Sequence, residues 1–240
     1  MSGIMQMAMM NNVPQGVVSS GLVLYYDPDN TASYPGTGTT VNSLVSPNLA
    51  GTMSDITFTD PYFAYNGTSS QVSVTDTAAL EPGAGSWTME AWVYLSNTGA
   101  GPKTILGKFD PGGLAADVSY SMRISTANAF AQMGDGTGAY VDSTSYTLTI
   151  NTWTQIVYVW TNGATKTLQT YINGASIGSV NHTLNSILNT SSNLYIGSYN
   201  GGEYAQWMNG RIGITRLYNA ALTAGQVLQN YNADRGVYGL

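Results

Sequence analysis

Short runs rich in β-branched and aromatic residues alternate with clusters of Gly, Asn, Asp and Ser along the chain from Gly21 onward. This spacing is typical of an all-β sandwich, because βαβ units would place helical periodicities between the strands. The clearest predicted strands span residues 22–26, 72–75, 87–95, 104–108, 120–124, 153–160, 168–172, 193–197 and 211–218.

Two of these runs predict how the sheets are layered. Residues 87–95 alternate strictly, so that one face carries Trp87, Met89, Ala91, Val93 and Leu95 and the other Thr88, Glu90, Trp92 and Tyr94. Residues 153–160 are apolar on both faces. Since a strand of that kind is buried on both sides, we expect it to lie centrally between two sheets.

Two local signals predict a hairpin and a helix. Asn173-Gly174 lies between two strand-like runs, and this pair suits a type I′ turn, in which both central residues need a positive φ. Near the C-terminus, Thr223 and Gln226 have the spacing of a capping box. An apolar stripe then predicts a single short helix, which we expect to close one end of the sandwich; the stripe consists of Val227, Leu228 and Tyr231.

Composition narrows the classes of partner. Only 8% of the 240 residues are charged and the formal net charge is −6, so the chain lacks the basic patch that nucleic-acid binding needs. Cysteine is absent, which excludes disulfides and thiolate metal sites. No apolar run approaches the roughly 20 residues of a membrane helix. We therefore expect neither nucleic acid nor membrane as a partner.

The chain starts with the Met-rich, uncharged segment MSGIMQMAMM, and its first Lys or Arg is Lys103. A secretory signal needs a basic start, so we expect assembly in a cytoplasm. Ordering about ten to twelve backbone residues of this start would offset most of the gain from burying its apolar side chains, so it is expected to be disordered alone. The extended N-terminal segment is taken as residues 1–20. We predict that it docks onto another subunit or onto further copies of the chain; a frayed start without a partner is the alternative. The docking residues would be Ile4, Met5, Met7, Met9 and Met10.

Several blocks of residues 21–240 resemble a known family. They include GLVLYYDPDN, SYPGTGTT, SWTMEAWVYL, NTWTQIVYVWTNGATKTLQTYINGASIGS and MNGRIGITRLYNAALTAGQVLQNYNADRGVYG. Together they resemble concanavalin A-like modules of the laminin-G type, and the resemblance implies a jelly-roll sandwich of two antiparallel sheets with a binding role. The version that begins GLVLYYDPDN is similar to modules in structural proteins of tailed bacteriophages. That similarity implies a virion surface protein, assembled in the host cytoplasm as part of a capsid decoration or a tail fibre.

The same fold hosts glucanases, whose activity depends on a pair of catalytic carboxylates. Retaining hydrolysis needs two carboxylates about 5 to 5.5 Å apart. The chain has only Glu81, Glu90 and Glu203, which are widely separated, and it lacks the Glu-x-Asp-x-x-Glu strand that glucanases of this fold share. We interpret Glu90 as structural and expect His182 in a surface loop. The sequence therefore predicts a protein without enzymatic activity.

Calcium is the cofactor that the resemblance suggests, because laminin-G modules often bind it at the rim of a sheet. Asp27 and Asp29 in YYDPDN are candidate ligands, and Ca²⁺ takes six to eight oxygens. Asp-Pro-x-Asn is also an ordinary turn sequence. Both interpretations remain open at this stage, and the turn is favoured.

A glycan site needs aromatic rings beside planar polar groups. The segment Tyr199-Asn-Gly-Gly-Glu-Tyr-Ala-Gln-Trp207 has this composition, and Asp135, Tyr140 and Asp142 offer similar groups. Chance clustering among 17 tyrosines is the alternative. The candidate glycan-binding residues are Tyr199, Asn200, Glu203, Tyr204, Trp207, Asp135 and Tyr140.

Three hypotheses for function follow. The first is a phage virion protein that contacts cell-surface glycans and assembles with other virion subunits and with its own copies. The second is a purely structural cement module on the particle. The third is a bacterial glycan-binding module or glycoside hydrolase of the same fold.

Overall fold

Two antiparallel β-sheets and one C-terminal helix make up the fold in the computed structural model, which describes Pro14 and residues 16–99, 101–109, 115–199 and 206–240. The elements are β1 Leu22–Tyr26, β2 Thr40–Asn42, β3 Ala50–Ser54, β4 Thr57–Thr59, β5 Tyr62–Asn66, β6 Gln71–Val74, β7 Trp87–Leu95, β8 Pro102–Phe109, β9 Val118–Ser125, β10 Asn128–Gly134, β11 Tyr140–Asp142, β12 Tyr146–Thr147, β13 Trp153–Asn162, β14 Lys166–Ile172, β15 Ala175–Asn181, β16 Leu194–Ile196, β17 Asn209–Tyr218 and α1 Ala224–Asp234.

The strands divide into an eight-stranded and a nine-stranded sheet. The eight-stranded sheet has the order β15-β14-β13-β7-β17-β5-β4, with β1 paired to β17. The nine-stranded sheet has the order β11-β10-β9-β8-β16-β6-β3-β2, with β12 paired to β10. Hairpin neighbours lie towards the sheet edges, whereas the central pairs β13-β7, β7-β17 and β8-β16 join strands that are far apart in sequence. This topology confirms the predicted sandwich of two antiparallel sheets.

The main core lies between the two sheets. The alternation predicted for β7 is confirmed, because its residues with odd numbers from Trp87 to Leu95 all face this core. Opposite them, the nine-stranded sheet contributes Leu106, Met122 and Ala131. These side chains are almost fully buried. Burial of a Leu, Val or Met side chain contributes roughly 1.5 to 3 kcal/mol to the free energy of unfolding.

A second apolar cluster covers the outer face of the eight-stranded sheet. Val227 and Tyr231 of α1 pack there against Trp92 of β7 and Val157 of β13. The expectation that the helix closes one end of the sandwich is therefore wrong, since α1 lies over the sheet itself. This placement also corrects the expectation for residues 153–160: β13 is apolar on both faces because its inner face meets the other sheet and its outer face lies in the cluster under the helix.

Four charged or polar side chains are buried under the helix in one network. Arg216 of β17 donates from Nη1 to Glu90 Oε1 at 3.1 Å and to Asp234 Oδ2 at 2.6 Å. Asn230 of α1 donates to Glu90 Oε2 at 2.7 Å. Burial raises the pKa of Glu90, and the cationic Arg216 opposes that shift. The network joins α1 to β7 and β17 through hydrogen bonds between buried groups.

Local predictions for the turn and the helix are confirmed. Asn173 and Gly174 have φ values of 49° and 77°, as a type I′ turn requires, and they join β14 to β15. Thr223 caps α1, and Gln226 completes the capping box. Leu228 belongs to the predicted apolar stripe but is 47% exposed, so the stripe is only partly buried.

The residues before the predicted domain start pack onto the sandwich. Val17 and Val18 are buried in the outer cluster, and Val18 N–H donates to Asn230 Oδ1 at 2.9 Å. The docking residues predicted in the leader lie outside the described residues, which start at Pro14. In the part of the chain that the structure describes, no helix has the length and apolar character needed to cross a membrane.

Candidate functional site

A polar row crosses the outer face of the nine-stranded sheet, which α1 does not cover. The register places Thr104 of β8 opposite Arg123 of β9, and Arg123 opposite Phe130 of β10. One step along, Gln132 of β10 faces Asp142 of β11. Because side chains alternate along each strand, all five point away from the core.

Hydrogen bonds link the row into a chain. Arg123 donates from Nη1 to Gln132 Oε1 and from Nη2 to Gln206 Oε1, each at 3.0 Å. Gln132 Nε2 in turn donates to Asp142 Oδ1 at 3.0 Å. Gln206 is held beside β8 by its carbonyl, which accepts from Thr104 N–H at 3.1 Å. The amide and guanidinium planes are therefore fixed in position before any ligand arrives.

Aromatic rings flank this polar row. The Arg123 guanidinium lies 5.9 Å from the Phe130 ring centroid and 5.8 Å from that of Tyr199. Tyr199 is stacked on Phe109 with centroids 3.9 Å apart and is 4% exposed. Burial lowers the pKa of Arg123 below its ordinary value. Planar polar groups beside the half-buried Phe130 ring match the chemistry of a saccharide, whose hydroxyls take hydrogen bonds and whose C–H face stacks on aromatics.

The predicted glycan residues lie at different places relative to this row. Tyr199 lies beside the row, but its buried ring supports Arg123 rather than offering a free platform. Tyr140 is 49% exposed and lies on β11 two residues before Asp142, at the edge of the same face. Trp207 is half-exposed and follows Gln206. Asn200, Glu203 and Tyr204 lie outside the described residues.

Asp135 forms a turn at the end of β10. Its Oδ1 accepts from the Thr137 N–H at 2.9 Å and from the Thr137 hydroxyl at 2.7 Å. Its carboxylate is therefore engaged within the turn that leads to β11.

Arg123, Phe130, Gln132 and Gln206 were missed by the sequence analysis. The available signal was a charged or polar residue at alternate positions of otherwise apolar strands, as in Arg123 between Met122 and Ile124. β10 itself was not predicted, because its inward residues Ala129 and Ala131 have weak strand propensity.

Asp27 and Asp29 lie at an open cleft of about 380 Å³ beside α1. Asp27 is buried, and it accepts from the Tyr25 hydroxyl and from the Asp29 N–H, both at 3.2 Å. Asn30 N–H donates to the Asp27 carbonyl at 3.1 Å, which closes the turn. Burial raises the pKa of Asp27 to about 6.

The Asp29 side chain is largely exposed. Partial desolvation of its carboxyl, together with the neighbouring Asp60, raises its pKa. Among the residues that the structure describes, no group of three or more His, Cys, Asp or Glu side chains could hold a metal ion. Asp27 and Asp29 therefore fit the turn interpretation, and their arrangement does not build the oxygen cage that calcium takes.

Two further sequence interpretations can be placed. Glu90 is fully buried and bonded to Arg216, Asn230 and Gln155, in agreement with a structural role. His182 lies in a loop directly after β15, as expected, but the expectation that it lies at the surface is wrong. Its ring is 9% exposed and stacks on Trp160 with centroids 3.5 Å apart.

Comparison with known proteins agrees with this architecture. A laminin-G-type family model, described as the concanavalin A-like lectin/glucanases superfamily, matches residues 66–228. The chain belongs to the concanavalin A-like lectin/glucanases superfamily. No curated protein sequence matches the chain.

Solved structures with the same fold include toxin binding domains. The binding domain of botulinum neurotoxin serotype D/C VPI 5993 has a TM-score of 0.66 at 13% identity, over 89% of this chain and 52% of that one. The binding domain of Paraclostridial Mosquitocidal Protein 1 has a TM-score of 0.66 at 17% identity, over 89% of this chain and 52% of that one.

A third such structure is the binding domain of botulinum neurotoxin DC in complex with SialylT. It has a TM-score of 0.65 at 14% identity, over 89% of this chain and 51% of that one. This concanavalin A-like chain thus spans about half the length of the toxin binding domains that it matches. At these identities the likeness establishes the lectin-like fold.

Proposed function

We propose that this domain is a non-enzymatic glycan-binding module that a tailed-bacteriophage structural protein displays on the virion. The observation that supports glycan binding is the fixed row of Arg123, Gln132 and Asp142 beside the Phe130 ring, on the sheet face that α1 does not cover. Its hydrogen-bonding groups are oriented, half-exposed and spaced across neighbouring strands. Preorganised polar groups of this kind hold a saccharide without a large ordering cost.

Burial of the described glutamates supports a module without hydrolytic activity. Glu90 has no exposed surface, and Glu81 is bonded to the buried Lys108. Asp234, the carboxylate beside Glu90, is held by the same arginine. A glycosidase needs an acid and a nucleophile that both reach the scissile bond, whereas Glu90 and Asp234 are buried and the half-buried Glu81 is paired with Lys108.

The proposal that the domain belongs to a virion protein rests on the sequence. The similarity of GLVLYYDPDN and SYPGTGTT to modules of tailed phages supports it, as does the apolar, uncharged leader that we expect to dock on another subunit. A domain of this kind would bring a lectin-like surface to the outside of a particle assembled in the host cytoplasm.

A glycan array followed by titration calorimetry tests the binding half. We expect the protein to bind at least one saccharide and Gln132→Ala or Asp142→Ala to weaken that binding by about tenfold, equivalent to about 1.4 kcal/mol. Thr52→Ala is the matched control, because Thr52 is exposed on β3 of the same sheet, several strands away. Equal affinity of all four proteins would rule out this face, and an array without binding would reject the proposal.

Particle assembly tests the virion half. A chain without residues 1–12 should fold, as judged by circular dichroism, yet fail to enter particles. Normal incorporation would contradict docking through the leader. Particles that lack the protein should adsorb poorly; if they instead lose only thermal stability, the module is a cement protein.

A further inference from the structure

A second row of aromatic side chains lies on the opposite side of the molecule, on the outer face of the eight-stranded sheet. The register places Trp153 of β13 opposite Tyr94 of β7, and Tyr94 opposite Arg211 of β17. Tyr62 lies on β5, the strand next to β17. Neighbouring strands are about 4.8 Å apart, so the row across β13, β7 and β17 is about 10 Å long.

The four side chains form one cluster around the guanidinium of Arg211. This group lies 4.2 Å from the Tyr94 ring centroid and 4.5 Å from that of Tyr62. The Trp153 ring is 5.6 Å from Tyr94 and 5.7 Å from Tyr62. Both tyrosine faces and the indole therefore frame a single cation.

The cluster is held in place from below. Trp153 packs on Tyr238 with centroids 4.5 Å apart, and the Tyr238 hydroxyl accepts from Ile214 N–H at 2.8 Å. Tyr238 is 7% exposed, whereas Trp153, Tyr94 and Arg211 are half-buried. A buried, hydrogen-bonded ring thus fixes a platform whose other members reach solvent.

The polar groups of this platform have no partner among the residues that the structure describes. Among the described residues, no hydrogen bond or ion pair engages the Arg211 guanidinium, the Trp153 indole N–H or the hydroxyls of Tyr62 and Tyr94. Other cations are engaged: Lys108 and Arg216 are in buried ion pairs, and Arg123 binds two glutamines. Arg211 thus lies between two rings without a carboxylate partner among the described residues, in a chain of net charge −6.

We propose that this cluster, made of Tyr62, Tyr94, Trp153 and Arg211, is a second saccharide site that takes a sugar bearing a carboxylate. The guanidinium edge would bind the carboxylate through two N–H groups, and the aromatic faces would stack on the sugar ring. The unused hydroxyls and indole N–H supply further hydrogen bonds. Uronic and sialic acids share this chemistry. The site lies on the other sheet from the row of Arg123 and does not depend on it.

Calorimetry with paired probes tests the proposal. The acidic probes are oligogalacturonate and sialyllactose, and their neutral counterparts are methyl-esterified oligogalacturonate and lactose. We expect at least one acidic probe to bind about tenfold or more tightly than its counterpart. Arg211→Gln should remove that preference, and Trp153→Phe should weaken it less than Trp153→Ala does.

Arg235→Gln is the matched control, since Arg235 also lies over a tyrosine ring, at 5.9 Å from the Tyr231 centroid, but is exposed and outside the cluster. It should bind as the unchanged protein does, and circular dichroism should show every variant folded. The combined change of Gln132→Ala with Asp142→Ala should also leave acidic binding intact. Loss of binding in that variant would instead assign the acidic sugar to the nine-stranded sheet and overturn the proposal.

Three other results would overturn it: no binding of either acidic probe, equal binding of the acidic and neutral forms, or an Arg211→Gln variant with unchanged affinity. Binding that appears only after removal of residues 1–13 would do so as well, because it would identify the leader as the occupant. Failure of neutral glycans to bind the other face would leave this site intact, so the two proposals are separable.

Discussion

Arg216 and Asp234 form a bidentate ion pair that joins the C-terminal helix to β17, a central strand of the eight-stranded sheet. Arg216 Nη1 donates to Asp234 Oδ2 at 2.6 Å, and Nη2 donates to Oδ1 at 2.8 Å. Arg216 is fully buried, and Asp234 is 4% exposed. Burial acts to lower the pKa of Arg216, but Asp234 and Glu90 raise it well above its ordinary value. Arg216 therefore stays protonated in the folded protein, and both carboxylates compensate its positive charge.

Replacing the helix side of this pair should be costly. Asp234→Asn is expected to lower the free energy of unfolding by about 3 kcal/mol, because removing one partner of a buried pair leaves charge uncompensated. Urea denaturation measures the loss. Asn232→Ala, at an exposed position of the same helix, should stay within about 0.5 kcal/mol of the unchanged protein. A small effect of Asp234→Asn would show that the helix is held by its apolar contacts alone.

The buried lysine on the other sheet should behave similarly. Lys108 is fully buried; its Nζ bonds Asp76 at 2.6 Å and also binds Glu81 and the Thr190 carbonyl. Lys108→Met should cost about 3 kcal/mol, since Glu81 would keep its charge without a cation. In the comparison variant Lys166→Met, the lost ammonium group donates only to the Leu184 carbonyl and to Oδ1 of the exposed Asn185, and the cost should be below about 1 kcal/mol. Equal effects in denaturation would argue against a special role for Lys108.

The pH dependence of stability should carry a signature of Asp27. Burial raises the pKa of this carboxyl from 3.8 to about 6, so the folded protein holds the proton more tightly than the unfolded chain does. Its contribution to stability is fully present below about pH 4 and is lost as the pH rises through 6.

The Asp27→Asn variant isolates this effect, because Asn keeps an oxygen for the Asp29 N–H but has no proton to lose. The unfolding free energy of the variant relative to the unchanged protein should therefore rise by about 2 to 3 kcal/mol between pH 4 and pH 7. Denaturation at several pH values provides the measurement. A difference that is flat over this range would mean that Asp27 titrates normally.

The β14–β15 turn should not tolerate a side chain at Gly174. Its φ is 77°, and a Cβ there would lie 3.0 Å from Leu228 Cδ1 and 3.1 Å from Tyr231 Cβ on the helix. Gly174→Ala should cost about 1 to 2 kcal/mol or more, from the left-handed backbone and the contact with α1 together. Gly163→Ala is the control, because no atom lies within 4 Å of its Cβ position. Thermal unfolding should separate the two variants; similar midpoints would contradict the packing of the turn on the helix.

Local patterns carry the parts of the fold that depend on near neighbours in sequence. The alternation of residues 87–95 predicts the inward face of β7. The Asn173-Gly174 pair predicts the β14–β15 hairpin, and Thr223 with Gln226 predicts the start of α1. Each signal arises from the period of one element or the backbone geometry of one turn, so no distant residue is needed to read it.

Only the tertiary structure decides what meets across the sheets. Arg216 and Glu90 are 126 residues apart, and the cluster around Arg211 draws its rings from β5, β7 and β13. The position of α1 over the eight-stranded sheet, and hence which sheet face stays open for a ligand, depends on the same long-range pairings. Strand order is set by total burial and hydrogen bonding of the whole chain, which no local period encodes.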